Sequence, residues 1–90
     1  MFQIRILDEA LRELEHLEKP IAKRIVERIQ WLAKNIETVK PMALSHDLSG
    51  FFKLRVGDYR VIYEIQRPKK TVLIHLIGHR SNIYKRLQKG

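Results

Sequence analysis

Apolar positions in the first half of the chain recur first with the period of a strand and then with that of helices. Phe2 to Leu7 alternates between apolar and polar residues, which predicts a short, half-buried strand. Asp8 can cap the helix that follows. The apolar stripe of this helix consists of Leu11, Leu14 and Leu17. Lys19-Pro20 ends the helix, and Pro20 fits the first turn of a second one.

The second helix also has one apolar face, with spacings of four, four, three and four residues. The stripe consists of Ile21, Ile25, Ile29, Leu32 and Ile36. We interpret Trp31 as a core or core-margin residue. The two helices are predicted to form a hairpin whose stripes must be buried against another layer.

The second half of the chain has the pattern of an antiparallel meander. A loop over residues 39–50 precedes three predicted strands at Phe51–Val56, Tyr59–Gln66 and Thr71–Ile77. Connections of hairpin length separate these strands. Ser81 can cap a short final helix, which contains Ile83, Tyr84 and Leu87.

The predicted order is therefore strand, helix, helix, three strands, helix. This order is typical of an α+β fold in which a helical hairpin covers one face of a mostly antiparallel, four-stranded sheet. Ninety residues are enough for one modest core, so residues 1–90 are expected to form one domain.

Charge is unevenly distributed along the chain, which has a net charge of +8. Residues 1–45 hold eight Lys and Arg against seven Asp and Glu, whereas residues 46–90 hold ten against three. A basic surface of this kind favours nucleic acid or an acidic partner. The chain has no cysteine, no membrane-length apolar run and no signal-peptide pattern, so we expect a cytoplasmic protein without a membrane partner.

Alternation also predicts that basic side chains converge on the sheet face away from the hairpin. Lys53 and Arg55 share one face of the second strand, and Arg60 lies on the same face of the next one. Counting in steps of two along the last strand brings Arg80 into line with them. This count aligns Arg80 with Val72, Ile74 and Leu76, which the final helix is expected to cover. Tyr84 would then lie near the basic group.

Each of these residues also has a plain structural interpretation. A Lys-Arg pair on a strand is often just a solvated face, and Glu64 is better explained as the cross-strand partner of a basic neighbour than as a general base. His75 is interpreted as a satisfied, partly buried histidine. His16 and His46 lack partners at ligand spacing, so neither a metal nor another cofactor is expected.

Three segments of the second half carry a recognisable pattern: Leu48-Ser-Gly-Phe-Phe-Lys-Leu-Arg55, Asp58-Tyr-Arg-Val-Ile-Tyr63 and Gly78-His-Arg80 with Ile83-Tyr84. Together they resemble the RelE/ParE superfamily of toxins from toxin–antitoxin systems, most closely its RelE-like branch. The resemblance extends over nearly the whole chain and implies the RelE-like fold. The last two segments together are the more specific, because they occupy signature positions of the group.

The resemblance implies a small endoribonuclease that cleaves messenger RNA, commonly on the ribosome, until an acidic cognate antitoxin wraps and inactivates it. Arg60 and Arg80 match the phosphate-gripping arginines of the family, and Tyr84 matches its C-terminal tyrosine. Lys53 and Arg55 match its basic, substrate-binding pair. His79 adds a titratable group that occurs in one subset of the family.

Cleavage by attack of the 2′-hydroxyl requires a base, an acid and positive charge at the phosphate. His79, Tyr84 or Lys53 could carry the protons, and the sequence does not rank them. Two positions depart from the family pattern: Ser49 replaces an arginine found in some members, and Arg55 replaces a common lysine. Two alternatives therefore stay open. One is a ParE-like protein that inhibits DNA gyrase, and the other is a degenerate toxin that only binds its antitoxin.

Overall fold

The fold contains five strands and three helices in the computed structural model, which describes residues 1–44 and 50–88, the last without its side chain. In chain order the elements are β1 (Gln3–Ile6), α1 (Asp8–His16), α2 (Lys19–Asn35), β2 (Met42–Ala43), β3 (Phe51–Val56), β4 (Tyr59–Gln66), β5 (Thr71–His79) and α3 (Ile83–Gln88). The predicted α+β class and the order of the longer elements are confirmed. No helix in the described ranges is long and apolar enough to cross a membrane.

The sheet has the strand order β1-β5-β4-β3-β2, so the predicted strand count of four was one too low. The additional strand, β2, pairs antiparallel with β3 inside the stretch that was predicted to be a loop. Two residues are too few for alternation to be recognised in a sequence. β1 runs parallel to β5, because the α1–α2 hairpin carries the chain back across one face of the sheet. All the other pairings are antiparallel.

The main core lies between the helical hairpin and one face of the sheet. Its buried members include Ile25, Ile29, Leu32, Val61, Tyr63, Val72, Ile74 and Ile77. Full burial of one such aliphatic side chain contributes roughly 1.5–3 kcal/mol, so this face supplies most of the apolar stabilisation. Burial also raises the pKa of the Tyr63 hydroxyl above its ordinary value.

A smaller core lies on the opposite face, under α3. Ile62, Leu76 and Ile83 are buried there, and Phe51 and Leu87 pack against them. The small core fixes the position of α3, which has only six residues. A helix this short is not stable by itself, so its place depends on such tertiary contacts.

A β-bulge in β5 decides which residues belong to which core. Ile62 pairs with Leu76 but Tyr63 pairs with Ile74, so His75 is an extra residue without a direct partner on β4. The extra residue reverses the alternation. The predicted alignment of Arg80 with Val72 and Ile74 is therefore wrong, because Val72 and Ile74 belong to the main core, under the α1–α2 hairpin. Only Leu76 lies under the final helix, as predicted.

The beginning of α1 also differs from the prediction. Leu7, not Asp8, occupies the N-cap position, and no side chain caps the helix there. Leu7 is held in an extended conformation because its N–H donates to the carbonyl of Ile74 on β5, at 3.0 Å. Asp8 and Glu9 instead lie in the first turn, where their negative charge favours the helix dipole. The predicted place of Pro20, in the first turn of α2, is confirmed.

Trp31 is exposed, although it was predicted to lie in the core or at its margin. Its side chain is 42% exposed, and the guanidinium carbon of Arg28 lies 4.4 Å from the centre of the ring. The neighbouring positions Leu32 and Ala33 take up the buried face of α2 instead. An aromatic residue one position beside an apolar stripe thus remains at the surface and stacks on a cation.

Candidate functional site

Three basic residues of the strand pair β3–β4 lie on the sheet face that is turned away from the α1–α2 hairpin. Lys53 and Arg55 alternate with residues of the main core on β3, and Arg60 precedes buried Val61 on β4. Arg55 and Arg60 are direct cross-strand partners. We call Lys53, Arg55, Arg60 and Tyr84 the basic face. Two adjacent like charges repel each other, so this arrangement costs stability and favours an anionic ligand between them.

Tyr84 reaches the basic face from α3. The Nζ atom of Lys53 lies 3.4 Å from the Tyr84 hydroxyl oxygen and 5.7 Å from the centre of the ring. The position follows from the small core, since Ile83 is fully buried and directs the next residue across β3. Tyr84 is 38% exposed, so a ligand can reach its hydroxyl. The structure thus brings together a cation and a hydroxyl that are 31 residues apart.

Arg60 is fixed by the turn between β3 and β4. Its Nη1 atom donates to the carbonyls of Gly57, at 3.0 Å, and of Tyr59, at 2.8 Å. Gly57 has a φ of +59°, a left-handed conformation that glycine adopts readily. The two bonds occupy only one of the three guanidinium nitrogens. They hold the side chain in place while the other nitrogens can still donate to phosphate oxygens.

Arg80 approaches the same turn from the end of β5. Its backbone N–H donates to the carbonyl of Asp58 at 2.8 Å, and its Nε atom lies 3.7 Å from the Asp58 carboxylate. Both side chains are more than 60% exposed, so the ion pair is weak and a ligand can displace it. Sequence reasoning assigned no role to Asp58. Its position could have indicated a role, because Asp58 lies in the turn between β3 and β4, directly before Tyr59-Arg60.

His79 lies on the sheet face that the α1–α2 hairpin covers, away from Lys53 and Tyr84. Its ring packs edge-on against Tyr59 with the ring centres 5.5 Å apart. The Ser81 backbone N–H donates to Nδ1 at 3.1 Å, so a neutral His79 carries its proton on Nε2. The Ser81 hydroxyl oxygen also lies 2.8 Å from Nδ1. Ser81 therefore holds this ring and does not cap α3, whose first residue is Ile83.

Glu64 and His75 pair with each other across β4 and β5. The Oε1 atom of Glu64 lies 2.9 Å from Nε2 of His75, and the ring of Phe51 meets the imidazole edge-on at 4.8 Å. The interpretation of Glu64 as a cross-strand partner and of His75 as a satisfied, partly buried histidine is confirmed. The pair accounts for both titratable groups without a catalytic role.

Arg86 is a residue that sequence reasoning missed. It donates to the carbonyl of Ile77 at 3.0 Å and lies within 3.5 Å of both Glu9 and Glu13 on α1. Ionic contacts between the two ends of the chain give no local signal. The spacing gave a weak indication that Arg86 faces the protein, because it lies three residues after buried Ile83 and one before Leu87.

Part of the predicted site lies outside the described residues. Leu48 and Ser49, the first two residues of the first family-like segment, belong to that part, and His46, for which no role was predicted, also lies outside the described residues. Among residues 1–44 and 50–88, no three His, Cys, Asp or Glu side chains come together as a possible metal-ligand group.

Fold and basic face together define a class: a small α+β domain with a helical hairpin on one sheet face and, on the other, basic residues of which one contacts a tyrosine. Residues 4–84 match the family described as the ParE toxin of the type II toxin-antitoxin system parDE. The chain belongs to the RelE/ParE superfamily of type II toxins.

Two relatives from Mycobacterium tuberculosis match almost the full length of the chain. Toxin RelG is 32% identical over 94% of this chain and 98% of the relative. Toxin RelE is 33% identical over 93% of this chain and 87% of the relative. Family membership and the RelE-like resemblance are thus both supported by sequence.

Solved structures lead to the same fold. A chain of the toxin–antitoxin complex RelBE2 from M. tuberculosis superimposes with a TM-score of 0.78 and 31% identity, covering 89% of this chain and 92% of the other. The isolated RelE toxin of E. coli gives a TM-score of 0.75 at 16% identity, covering 99% and 97%, which shows a shared fold only.

Proposed function

We propose that this toxin is an endoribonuclease that cleaves messenger RNA on the ribosome and so inhibits translation. The observation that carries the proposal is the contact between Lys53 and Tyr84, 3.4 Å apart, on the same face as paired Arg55 and Arg60. A hydroxyl able to transfer a proton, in contact with Lys53 and on the same sheet face as two arginines, suits chemistry at a phosphodiester. It is not what a purely structural sheet surface requires.

The proposed reaction needs no metal ion. The 2′-oxygen of the RNA attacks the adjacent phosphorus, its proton passes to a base, and a 2′,3′-cyclic phosphate forms. The bond from phosphorus to the 5′-oxygen breaks, and that oxygen receives a proton from an acid. Charge that accumulates on the phosphate is stabilised by Arg60 and Arg80, while Lys53 and Arg55 bind the substrate.

Tyr84 is proposed as the general acid or base of this reaction. It is the titratable side chain that Lys53 contacts on the basic face, and α3 holds it there. The Lys53 ammonium interacts favourably with negative charge on any oxygen next to it during proton transfer. His79 is assigned only an assisting role. Its Nε2 atom lies on the face of β5 that is turned away from Lys53 and Tyr84, although β5 leads directly into Arg80. Ribosomal positioning of the RNA for in-line attack would reduce the demand on all these groups.

A second candidate function is inhibition of DNA gyrase by binding. The observation that favours it is the matching family model, which is that of a ParE toxin. The curated relatives in turn bear RelE and RelG names. The two functions make different demands on the basic face, since a binding protein has no need of a hydroxyl placed for proton transfer.

Induction of the chain in growing cells tests the two functions against each other. We expect protein synthesis to stop before DNA synthesis, with cuts in translated messenger RNA. Purified toxin with programmed ribosomes should cut the RNA and leave 2′,3′-cyclic phosphate or 3′-phosphate ends. Cleavage should persist when a chelator removes free metal ions at a concentration that keeps the ribosomes intact. Cleavage next to a 2′-deoxy nucleotide would rule out this chemistry, and replication arrest before translation arrest would favour the gyrase function.

The proposed partner is an acidic antitoxin. The solved M. tuberculosis relative is described as a toxin–antitoxin complex. Residues 46–90 of this chain hold ten Lys and Arg against three Asp and Glu, and Lys53, Arg55 and Arg60 of this half lie on the basic face. An acidic segment that folds on binding would neutralise this charge and cover Tyr84. Its affinity would come from apolar anchors and its fast association from charge.

The charge argument predicts how salt acts on the complex. Raising the ionic strength should slow association of the antitoxin much more than it accelerates dissociation, because screening weakens long-range attraction and barely affects apolar contacts. Stopped-flow mixing at several salt concentrations measures both rates. An association rate that does not respond to salt, or an antitoxin without an acidic excess, would contradict the proposed partner.

A further inference from the structure

Arg86 joins three elements that are far apart in sequence. From α3, its Nη1 atom donates to the carbonyl of Ile77 on β5 at 3.0 Å and lies 3.5 Å from the Glu13 carboxylate. Its Nη2 atom lies 3.3 Å from the Glu9 carboxylate, also on α1. The side chain is 27% exposed. Because part of the solvent is excluded, these pairs are worth more than the same contacts on an open surface.

A glycine in β5 makes room for this arginine. A Cβ atom at Gly78 would lie 2.7 Å from Nη1 of Arg86 and 3.0 Å from Cδ1 of Ile83. A separation under 3.0 Å forces an atom to move, and the end of the arginine side chain is the freer of the two. Helix α3 therefore packs directly against the strand backbone at the place where Arg86 reaches Ile77.

The position of Tyr84 depends on these contacts. Helix α3 spans only Ile83–Gln88 and cannot hold its own conformation in isolation. Ile83 holds it through apolar contact with the small core, and Arg86 holds it one turn later through polar contacts. Tyr84 lies between these two anchors, with its hydroxyl 3.4 Å from Lys53.

We propose that Arg86 is a positioning residue, which holds α3 so that Tyr84 stays against Lys53. It rests on the proposed function, because positioning matters to activity only if Tyr84 takes part in RNA cleavage. The three partners of Arg86 are protein groups on α1 and β5, so its effect on cleavage would pass through Tyr84. A displacement of about 1 Å at a reacting group is enough to reduce a rate substantially.

Single-turnover cleavage by Arg86→Ala tests the inference. We expect the rate at saturating RNA to fall by about 10-fold or more, with KM changed by less than about 3-fold, because the substrate-binding cations stay in place. In the Tyr84→Phe background the same substitution should cost less than about 3-fold, since a residue that acts only through the lost hydroxyl has nothing left to position. Losses that multiply instead would refute positioning through Tyr84.

Further variants separate positioning from loss of charge or of folding. Lys85→Ala removes one positive charge from the same helix and should keep the parental rate. Arg86→Lys keeps the charge but cannot reach all three partners, so its rate should lie between those of the parent and Arg86→Ala. The paired change Glu9→Gln and Glu13→Gln weakens the contacts from the α1 side, where both carboxylates are partly exposed. It should reproduce part of the loss even if Arg86→Ala fails to fold.

Hydrogen exchange tests the structural part without any RNA. In Arg86→Ala, or in the paired glutamine variant, amides of residues 83–88 should exchange about 10-fold faster, while those of β4 keep their protection. Unchanged exchange in α3 would overturn the inference, whatever the activity. If the parent protein cleaves no RNA but α3 loosens as expected, the proposed function fails and the anchoring of Tyr84 by Arg86 stands.

Discussion

Purified Arg60→Ala and Arg80→Ala proteins are each expected to cleave ribosome-bound messenger RNA about 10²–10³-fold more slowly than the parent, the usual cost of removing one preorganised charge contact to a transition state. Arg60 is held by two carbonyls of the β3–β4 region, and Arg80 is tied to Asp58 in the same turn. We therefore expect both guanidiniums to act on the same phosphate, since both residues bond to the turn between β3 and β4. Single-turnover kinetics with programmed ribosomes measure the loss.

Folding and net charge need their own controls in this experiment. Arg60→Ala loses two hydrogen bonds to backbone carbonyls, worth roughly 1–3 kcal/mol together, so its thermal unfolding should be compared with that of the parent. Arg80→Ala loses only an exposed ion pair and should unfold like the parent. Arg67→Ala removes the same charge from the exposed turn at the other end of β4 and should retain activity. Parental rates in a folded Arg60→Ala or Arg80→Ala protein would end the assignment for that residue.

Most of the fold could be predicted because its elements have strong periodic patterns. The stripe of α2 and the alternation in β3 and β4 place residues on a face by local geometry alone, and Pro20 marks a helix start for steric reasons. The errors arose where tertiary contacts overrule a local preference. Leu7 replaces Asp8 at the N-cap because β5 holds its backbone in an extended conformation. The two-residue strand β2 exists only through its pairing with β3.

The bulge at His75 limited the prediction of the site. Counting in steps of two assumes an uninterrupted strand, and a bulge has no reliable signature in a single sequence. Counting back from Arg80 gave the wrong face for Val72 and Ile74, which lie before the bulge in the chain. It gave the right face for Leu76, which lies between the bulge and Arg80. Residues on β3 and β4 were placed correctly because Lys53, Arg55 and Arg60 lie on strands that pair without interruption there.

Contacts between distant segments of the site could not be read from the sequence in detail. A location for Tyr84 near the basic group was expected, whereas its specific contact with Lys53 depends on how α3 packs on the small core. The role of Arg86 depends on two carboxylates more than seventy residues away. His79, adjacent to Arg80 in sequence, lies across the sheet from Tyr84, because neighbouring residues in a strand point to opposite faces.

Tyr84→Phe is expected to slow single-turnover cleavage by roughly 10²-fold or more, the usual span for loss of a proton-transfer group. The substitution keeps the ring, and with it the packing of α3, while it removes the hydroxyl next to Lys53. Stability should change little, since Tyr84 is 38% exposed. RNA binding should persist, because the basic residues remain. The measurement is the cleavage rate at saturating ribosome complex, with binding determined separately.

Tyr59→Phe is the matched control, since it removes the same hydroxyl from a tyrosine on the hairpin side of the sheet. It should cleave at the parental rate. His79→Gln should cost less than Tyr84→Phe, because the His79 ring packs against Tyr59, on the sheet face away from Lys53 and Tyr84. If Tyr84→Phe is silent while His79→Gln is inactive, the 2′-hydroxyl mechanism stands and the two residues exchange roles. The RNA would then have to approach the β5 end from the side of Tyr59, not across the contact between Lys53 and Tyr84.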